Sequence, residues 1–248
     1  MNRQAQAALL FLIGVAVLHA GLTDLYLRYV KAGLRPLLLA AGAVLIITAL
    51  ATAWYELRGS RTARQSPPEC GGHDRGGHAH REPRVAWLLA LPLFALILVA
   101  PPALGSYSAM HTGTALQRPW GFPALRAGDP LPLNVADYAG RAVYDHGHSL
   151  GHRRIKITGF IALDRSGDPF LVRMALNCCA ADAQPVKIGL WGRVPPVLQP
   201  DTWLEVTGTY TGKRIKDPVG GGTIPFIKVG QARPIPAPRD PYDETWNG

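Results

Sequence analysis

The residues whose types and spacing suggest chemistry lie late in the chain, where two adjacent cysteines, Cys178 and Cys179, precede Asp182. They form a polar turn between an apolar run that ends at Leu176 and an alternating run that begins at Val186. Thiolates bind zinc or copper(I), and a nearby carboxylate adds a harder ligand. The pattern therefore predicts a site for zinc or copper(I), or a thiol-exchange site.

Two thiolates and one carboxylate leave a metal shell incomplete, so the prediction needs a fourth ligand. That ligand would come from His146, His148 or His152, or from a second chain. The structural alternative is that one cysteine packs as a small buried hydrophobe while Asp182 caps the turn through local backbone amides. The adjacent cysteines could also close on each other in a strained ring. The residues alone leave these alternatives open.

A second group of metal-binding side chains lies in the polar, Pro/Gly-rich loop of residues 56–84. Its histidines are His73, His78 and His80, and glycines separate the first from the other two. Imidazoles on such a segment can gather around a divalent ion with little backbone strain, which suits sensing or hand-over more than structural zinc. The alternative is a solvated basic loop whose histidines bind nothing.

Three apolar runs within residues 1–105 predict three transmembrane helices. They cover residues 7–27, 36–55 and 85–104, and each has the length of about 20 residues that a bilayer requires. A signal peptide would be shorter and followed by polar mature sequence, so the first two runs are interpreted as a helical hairpin. His19 lies within the first run, where an ionisable group is a candidate for a transport pathway or a partner contact.

Lysines and arginines beside these runs predict the orientation. The side with the N-terminus and the 56–84 loop carries seven of them, against three on the other side. The N-terminus is therefore predicted to be cytoplasmic, and residues 106–248 to lie outside the cytoplasmic membrane. The seven are Arg3, Arg58, Arg61, Arg64, Arg75, Arg81 and Arg84, and the three are Arg28, Lys31 and Arg35.

Composition argues against several classes of function. The formal net charge is +9, with 10 Lys+Arg against 5 Asp+Glu up to residue 105 and 16 against 12 after it. We assign most of this excess to membrane topology and do not expect nucleic-acid binding. Three cysteines are too few for a disulfide scaffold. No Ser/His/Asp order, phosphate-binding Gly/Lys loop or pair of acid/base carboxylates stands out, which weighs against a hydrolase or an NTPase.

Residues 133–233 predict a small antiparallel β-barrel of the OB type, and the whole chain is an α+β membrane protein. A Pro/Gly/Ser-rich linker, residues 106–132, precedes the barrel, and an extended tail, residues 234–248, follows it. Asn134 is predicted to cap a short helix over 134–144. Gly159 and Gly208 fit bends that let a small barrel close. The predicted strands are 154–163, 169–176, 185–191, 203–211 and 223–229.

Several short motifs are distributed along almost the whole chain. The most specific combines Cys179-Ala-Ala-Asp182 with the closing Pro238-Arg-Asp-Pro-Tyr242. In these motifs the chain resembles the YcgQ-type bacterial membrane proteins, although its histidine loop is shorter than in other members and Cys178 stands where some have histidine. The other motifs are His19-Ala-Gly21, the histidines of 73–80, Pro101-Pro-Ala-Leu-Gly-Ser106, Gly159-Phe160, Trp203 and Thr207-Gly208.

The resemblance implies an extracytoplasmic C-terminal domain and an assembly with a polytopic permease, with a link to zinc. Cys179 and Asp182 are the positions that carry over from it. We therefore expect a non-enzymatic accessory subunit of a bacterial permease complex, with the permease and the lipid bilayer as partners. The alternatives are an extracytoplasmic redox protein that uses a thiol or a metal, and a membrane metal sensor that uses His73, His78 and His80.

Overall fold

The computed structural model of the chain describes residues 3–62 and 102–244. The described residues divide into two compact units. The first contains the two N-terminal helices. The second contains residues 102–244 together with a short segment, residues 24–33, that joins those two helices and is called the connector below.

The first unit consists of α1 (Arg3–Leu22) and α2 (Arg35–Thr62). Among the described residues, one helical stretch, Ala32–Arg58, is long and apolar enough to cross a membrane, a property that buried core helices and signal sequences share. The apolar part of α1, Gln6–Leu22, is shorter than that test requires. Three spans were predicted, and length and composition support one of them. The third run, 85–104, lies outside the described residues except for its last three positions.

Five strands of the second unit close into a barrel in the order β2-β5-β6-β4-β3, and β3 pairs again with β2. The β4 and β6 strands run parallel, whereas the other barrel pairs are antiparallel. The predicted closed barrel is confirmed, but a purely antiparallel one was wrong. The strands are β1 (Leu131–Pro132), β2 (Ile155–Leu163), β3 (Pro169–Leu176), β4 (Gln184–Gly192), β5 (Trp203–Lys216), β6 (Thr223–Pro234) and β7 (Tyr242–Glu244).

Two glycines allow the barrel strands to approach one another closely. A Cβ on Gly159 would lie 2.7 Å from the carbonyl oxygen of Val172, and one on Gly208 would clash with the carbonyl of Lys228. Any larger residue would push these strands apart. The interpretation of both glycines as closure points fits these contacts.

The barrel interior is filled by aliphatic side chains and covered by a helix of the second unit. This helix is α4 (Val135–Tyr144), and it follows the short α3 (Ser106–His111) in the chain. The predicted cap is confirmed, because Asn134 Oδ1 accepts a hydrogen bond from the N–H of Asp137 at 2.5 Å. Buried Tyr138 donates its hydroxyl to the carbonyl of Phe226 at 2.7 Å. Full burial of one large apolar side chain contributes about 1.5–3 kcal/mol, so this core is the main source of the barrel's stability.

Segments on both sides of the barrel are attached to it. The N–H of Thr114 donates to Asp217 at 2.6 Å, and the N–H of Ala115 donates to the carbonyl of Pro185 at 3.0 Å. At the other end of the unit, β7 pairs in parallel with β3. Arg173 holds that strand through an ion pair with Asp243 at 3.0 Å.

Candidate functional site

The cysteines lie in the turn between β3 and β4, called the cysteine corner below (Asn177–Asp182). Asp182 ends a single 3-10 turn, and its carboxylate folds back over the corner. Its Oδ1 accepts the N–H of Asn177 at 3.0 Å, and its Oδ2 accepts the N–H of Cys178 at 2.9 Å. The expectation that Asp182 caps this turn is therefore confirmed.

The same carboxylate lies beside both thiols. One ligand atom from each of Cys178, Cys179 and Asp182 falls within a group whose members are all within 4.8 Å of one another. Both cysteines are free, with Cys178 exposed and Cys179 half-buried. In a tetrahedral zinc shell, neighbouring ligand atoms are about 3.7 Å apart, so small side-chain rotations would bring these three donors to that spacing. They fit an open three-ligand site with a fourth position left for solvent or a partner.

Hydrogen bonding sets the protonation states at the corner. The bond to the Asp182 carboxylate, followed by the bond to Cys179, raises the pKa of Cys178 to about 11. The bond from Cys178, helped by the backbone amides, lowers the pKa of Asp182. At neutral pH the Cys178 thiol is thus protonated and the carboxylate ionised. Any metal bound here must displace a thiol proton.

The connector pairs with the cysteine corner along its backbone. Val30 forms an antiparallel bridge with Cys179. The N–H of Lys31 donates to the carbonyl of Cys178 at 3.1 Å, and the N–H of Ala180 donates to the carbonyl of Tyr29 at 2.7 Å. No sequence pattern indicated this contact, because its two sides are far apart in the chain and neither shows a strand-like alternation.

Tyr242 fastens the connector from the other side. Its hydroxyl donates to the carbonyl of Arg28 at 3.0 Å and accepts the N–H of Leu104 at 3.2 Å. A cavity of about 860 Å³ lies beside these contacts. Its walls include parts of the connector, of residues 102–108 and of the tail, together with Phe160, Asp201 and Trp203.

The histidines predicted as ligands do not join the cysteine corner. His146, His148 and His152 are exposed in the turn between α4 and β2, and in the described part of the chain none of them belongs to the thiol and carboxylate group. His73, His78 and His80 lie outside the described residues. His19 is exposed on α1, where its carbonyl accepts the N–H of Thr23 at 3.1 Å.

Comparison with known proteins identifies the barrel region. Residues 129–243 match the family described as the DUF1980 C-terminal domain. The match extends from just before β1 into β7, so it includes α4, the whole barrel and the cysteine corner. No curated protein and no solved structure matches the chain.

Proposed function

With a DUF1980-like barrel as the premise, we propose that the chain is a membrane-anchored, non-enzymatic accessory subunit of a bacterial permease complex. Its barrel lies outside the cytoplasm, binds a soft metal ion such as zinc through Cys178, Cys179 and Asp182, and presents that ion to a polytopic partner. The observation that carries the proposal is the backbone pairing between the cysteine corner and the connector.

Connectivity supports the location of the barrel. The connector joins α1 to α2, so if both helices cross the bilayer, it emerges on the side opposite the N-terminus. The corner is hydrogen-bonded to the connector and therefore lies on that same side. Since the N-terminal side carries more lysine and arginine, the positive-inside rule makes it cytoplasmic and makes the barrel external.

The chemistry of the corner supports a site that exchanges its ligand. Closed structural zinc sites have four protein ligands, whereas this one offers three, of which Cys178 is exposed. Zinc bound here would keep one coordination position open for a donor on another molecule. The corner is therefore suited to hand-over.

The raised pKa of Cys178 weighs against the redox alternative. The thiolate is the nucleophile in thiol exchange, and redox cysteines have lowered pKa values. Cys178 shows the opposite shift, to about 11, because it donates to a carboxylate. A metal can compensate for that shift by displacing the proton, but a disulfide substrate cannot.

The pairing also gives the ion a way to act on the membrane helices. Ligation would fix the side chains of Cys178 and Cys179, whose backbone atoms hold Val30 and Lys31. A partner that responds to α1 and α2 would then sense whether the corner is loaded. For this to occur, the ion must bind one arrangement of the connector more tightly than another.

The test is a zinc competition against a chromophoric chelator, with the reduced full-length chain in detergent. The wild type should bind zinc stoichiometrically, and Cys178→Ser/Cys179→Ser should abolish binding. Because the proton of the Cys178 thiol must leave, affinity should rise by about tenfold per pH unit between pH 6 and 8. A triple variant, His146→Ala/His148→Ala/His152→Ala, is the matched control and should bind like the wild type.

Two other results would support the alternative functions. Binding that survives in the double cysteine variant but fails in His73→Ala/His78→Ala/His80→Ala would support the loop sensor. Rapid alkylation of Cys178 at neutral pH, without zinc binding, would support the redox alternative. If zinc binds as expected, the subunit role still requires that the chain be degraded faster in cells that lack the permease partner.

A further inference from the structure

The strand that leaves the cysteine corner, β4, presents an exposed tryptophan near its other end. Trp191, near the end of β4, is 48% exposed although it belongs to a barrel strand. It pairs across the sheet with Lys228 of β6, and two positions earlier Gly189 pairs with Phe226. The ring of Phe226 packs over Gly189 and is buried, so Trp191 is the aromatic ring on this face that remains open to solvent among the described residues.

Two lysines approach the aromatic rings from above. Lys228 Nζ lies 5.9 Å from the centre of the Trp191 ring, and Lys213 Nζ lies 6.0 Å from it. Lys213 also lies 4.4 Å from the centre of the Phe226 ring. In the described part of the chain, neither ammonium has a carboxylate within ion-pair distance, so both keep donors for an external anion.

An irregularity in β5 directs Lys213 to this place. The pairing between β5 and β6 shifts register between Tyr210 and Arg214, which leaves residues 211–213 outside the regular ladder. Bulges of this kind commonly redirect a side chain. Here the side chain of Lys213 crosses β6 and reaches the tryptophan on β4. Contact with two aromatic faces restricts the lysine before any ligand arrives.

A concave surface adjoins the tryptophan. Trp191 forms one wall of a shallow cavity of about 400 Å³ between the β2–β3 turn and the loop that follows β4. The lining of this cavity is rich in proline and other apolar side chains. The lining includes Gly167, Pro169, Val194, Pro195, Pro196 and Leu198.

We propose that Trp191, Lys213 and Lys228 form a binding site for a saccharide that carries carboxylate or phosphate groups. The C–H face of a sugar ring stacks on the electron-rich face of an indole. The sugar would stack on the exposed part of the indole, and the two ammonium groups, each about 6 Å from the ring centre, would pair with its anionic substituents. The neighbouring cavity accepts the next unit of the sugar.

Two other ligands fit this surface less well. Single-stranded nucleic acids bind proteins along positively charged grooves with several aromatic rings in succession, and this face exposes one ring among its described residues. The concave lining next to Trp191 suits a small ligand unit better than the broad surface of an anionic bilayer.

The experiment is a calorimetric titration of the full-length chain in a zwitterionic detergent. The probes are tetragalacturonate, the uncharged α-1,4-linked tetrasaccharide maltotetraose, a four-residue oligothymidylate and vesicles of phosphatidylglycerol. The wild type should bind tetragalacturonate at least about tenfold more tightly than maltotetraose, because loss of two charge contacts exceeds 1.4 kcal/mol. Trp191→Ala should weaken binding by a similar factor, and Lys213→Gln/Lys228→Gln should remove the preference for the acidic sugar.

Matched control variants distinguish a loss of the binding site from a loss of folding. Trp120 is fully exposed and lies outside the site, so Trp120→Ala should bind like the wild type. Lys213→Arg/Lys228→Arg keeps both charges and should retain the acidic preference. The proposal is overturned if wild type does not bind tetragalacturonate, if Trp191→Ala binds it unchanged, or if the oligothymidylate or the vesicles bind more tightly. None of these outcomes depends on zinc binding at the cysteine corner.

Discussion

Asp182 and Asp217 both accept hydrogen bonds from backbone N–H groups, but Asp182 is partly exposed and Asp217 is buried. Each carboxylate accepts two backbone N–H groups: Asp182 from the cysteine corner, and Asp217 from Thr114 and Val219. Asp217 is buried and also accepts the ammonium of Lys187 at 2.8 Å. Asp182 is half-buried and lies beside two thiols. Asp217 forms a buried ion pair with Lys187, called the closed joint below, whereas Asp182 can still bind a ligand from outside.

The electrostatics of the two carboxylates reflect this difference. Burial pushes the pKa of Asp217 upward, but the hydrogen bond from Lys187 and the two amides outweigh it, so the pKa is lowered. At Asp182 the first cause of the lowered pKa is the thiol of Cys178. A thiol proton can be exchanged for a metal, while the buried ammonium of Lys187 has no such alternative. The comparison therefore separates a structural site from one that can change its occupant.

The largest expected effect is on the closed joint. Among the residues that the structure describes, Asp217→Ala leaves the buried ammonium of Lys187 with the carbonyl of Thr112 as its remaining hydrogen-bond partner. Removing one partner of a buried pair costs about 3–5 kcal/mol of unfolding free energy. Urea unfolding of the full chain in detergent, followed by near-UV circular dichroism, measures this loss. Lys187→Met/Asp217→Leu removes both charges and should recover most of it; equal losses in both variants would contradict the explanation.

A smaller effect is expected in acid. A carboxyl group with a lowered folded pKa contributes stability above its unfolded value of 3.8, and this stability is lost as pH falls through the folded pKa. The barrel should therefore lose stability progressively below about pH 3.8. Thermal unfolding midpoints between pH 6 and 2.5 check this. Asp217→Asn should flatten the profile more than Asp182→Asn, and the reverse order would show that the open corner dominates.

Removing the Asp182 carboxylate should cost less unfolding free energy than removing the buried Asp217 carboxylate. Asp182→Ala removes two turn hydrogen bonds at a partly exposed position and should lower the unfolding free energy by about 1 kcal/mol. The same variant should weaken zinc binding by at least about tenfold. Urea unfolding and the chelator competition measure the two effects on one sample. A loss as large as that of Asp217→Ala would mean that the corner is primarily a structural element.

The smallest effect is expected at a fully solvated pair. Arg154 makes two hydrogen bonds of 2.8 Å to Asp129, yet both side chains are largely exposed. Water and salt screen such pairs, so Arg154→Gln should leave the unfolding midpoint unchanged within measurement error. A clearly lower urea midpoint for Arg154→Gln would show that a short ion pair stabilises this barrel even where both side chains are exposed.

Local patterns predicted much of the barrel. The alternating runs gave strands whose starts agree within one residue, and Asn134 identified its helix. The ends of β5 and β6 were placed five residues early. The last residues of β5 pair with the first residues of β6 in an exposed hairpin, and the last residues of β6 pair with the first residues of β5, so neither end shows a buried alternating pattern. The parallel pairing of β4 with β6 depends on closure of the whole barrel. No local run encodes that pairing.

At the candidate site as well, local sequence identified some residues and missed others. Cys178, Cys179 and Asp182 were identified together because one turn holds all three. Lys187 was not singled out, because a lysine between Val186 and Ile188 in an alternating run gives no sign of burial. Residues 112–114 cover that face and supply the carbonyl of Thr112, which makes the lysine part of a buried joint. Contacts formed by distant segments leave no periodic signal for sequence reasoning to detect.

The connector also constrains the order in which the molecule can be completed. During synthesis, residues 24–33 leave the ribosome about 150 residues before the corner to which they bind. Their backbone partners do not exist until β3 and β4 have emerged, and closing a chain loop of that length carries an entropic cost that grows slowly with length. A fragment that begins at residue 106 would therefore keep every strand of the barrel but lack the backbone partners of the cysteine corner and of Tyr242.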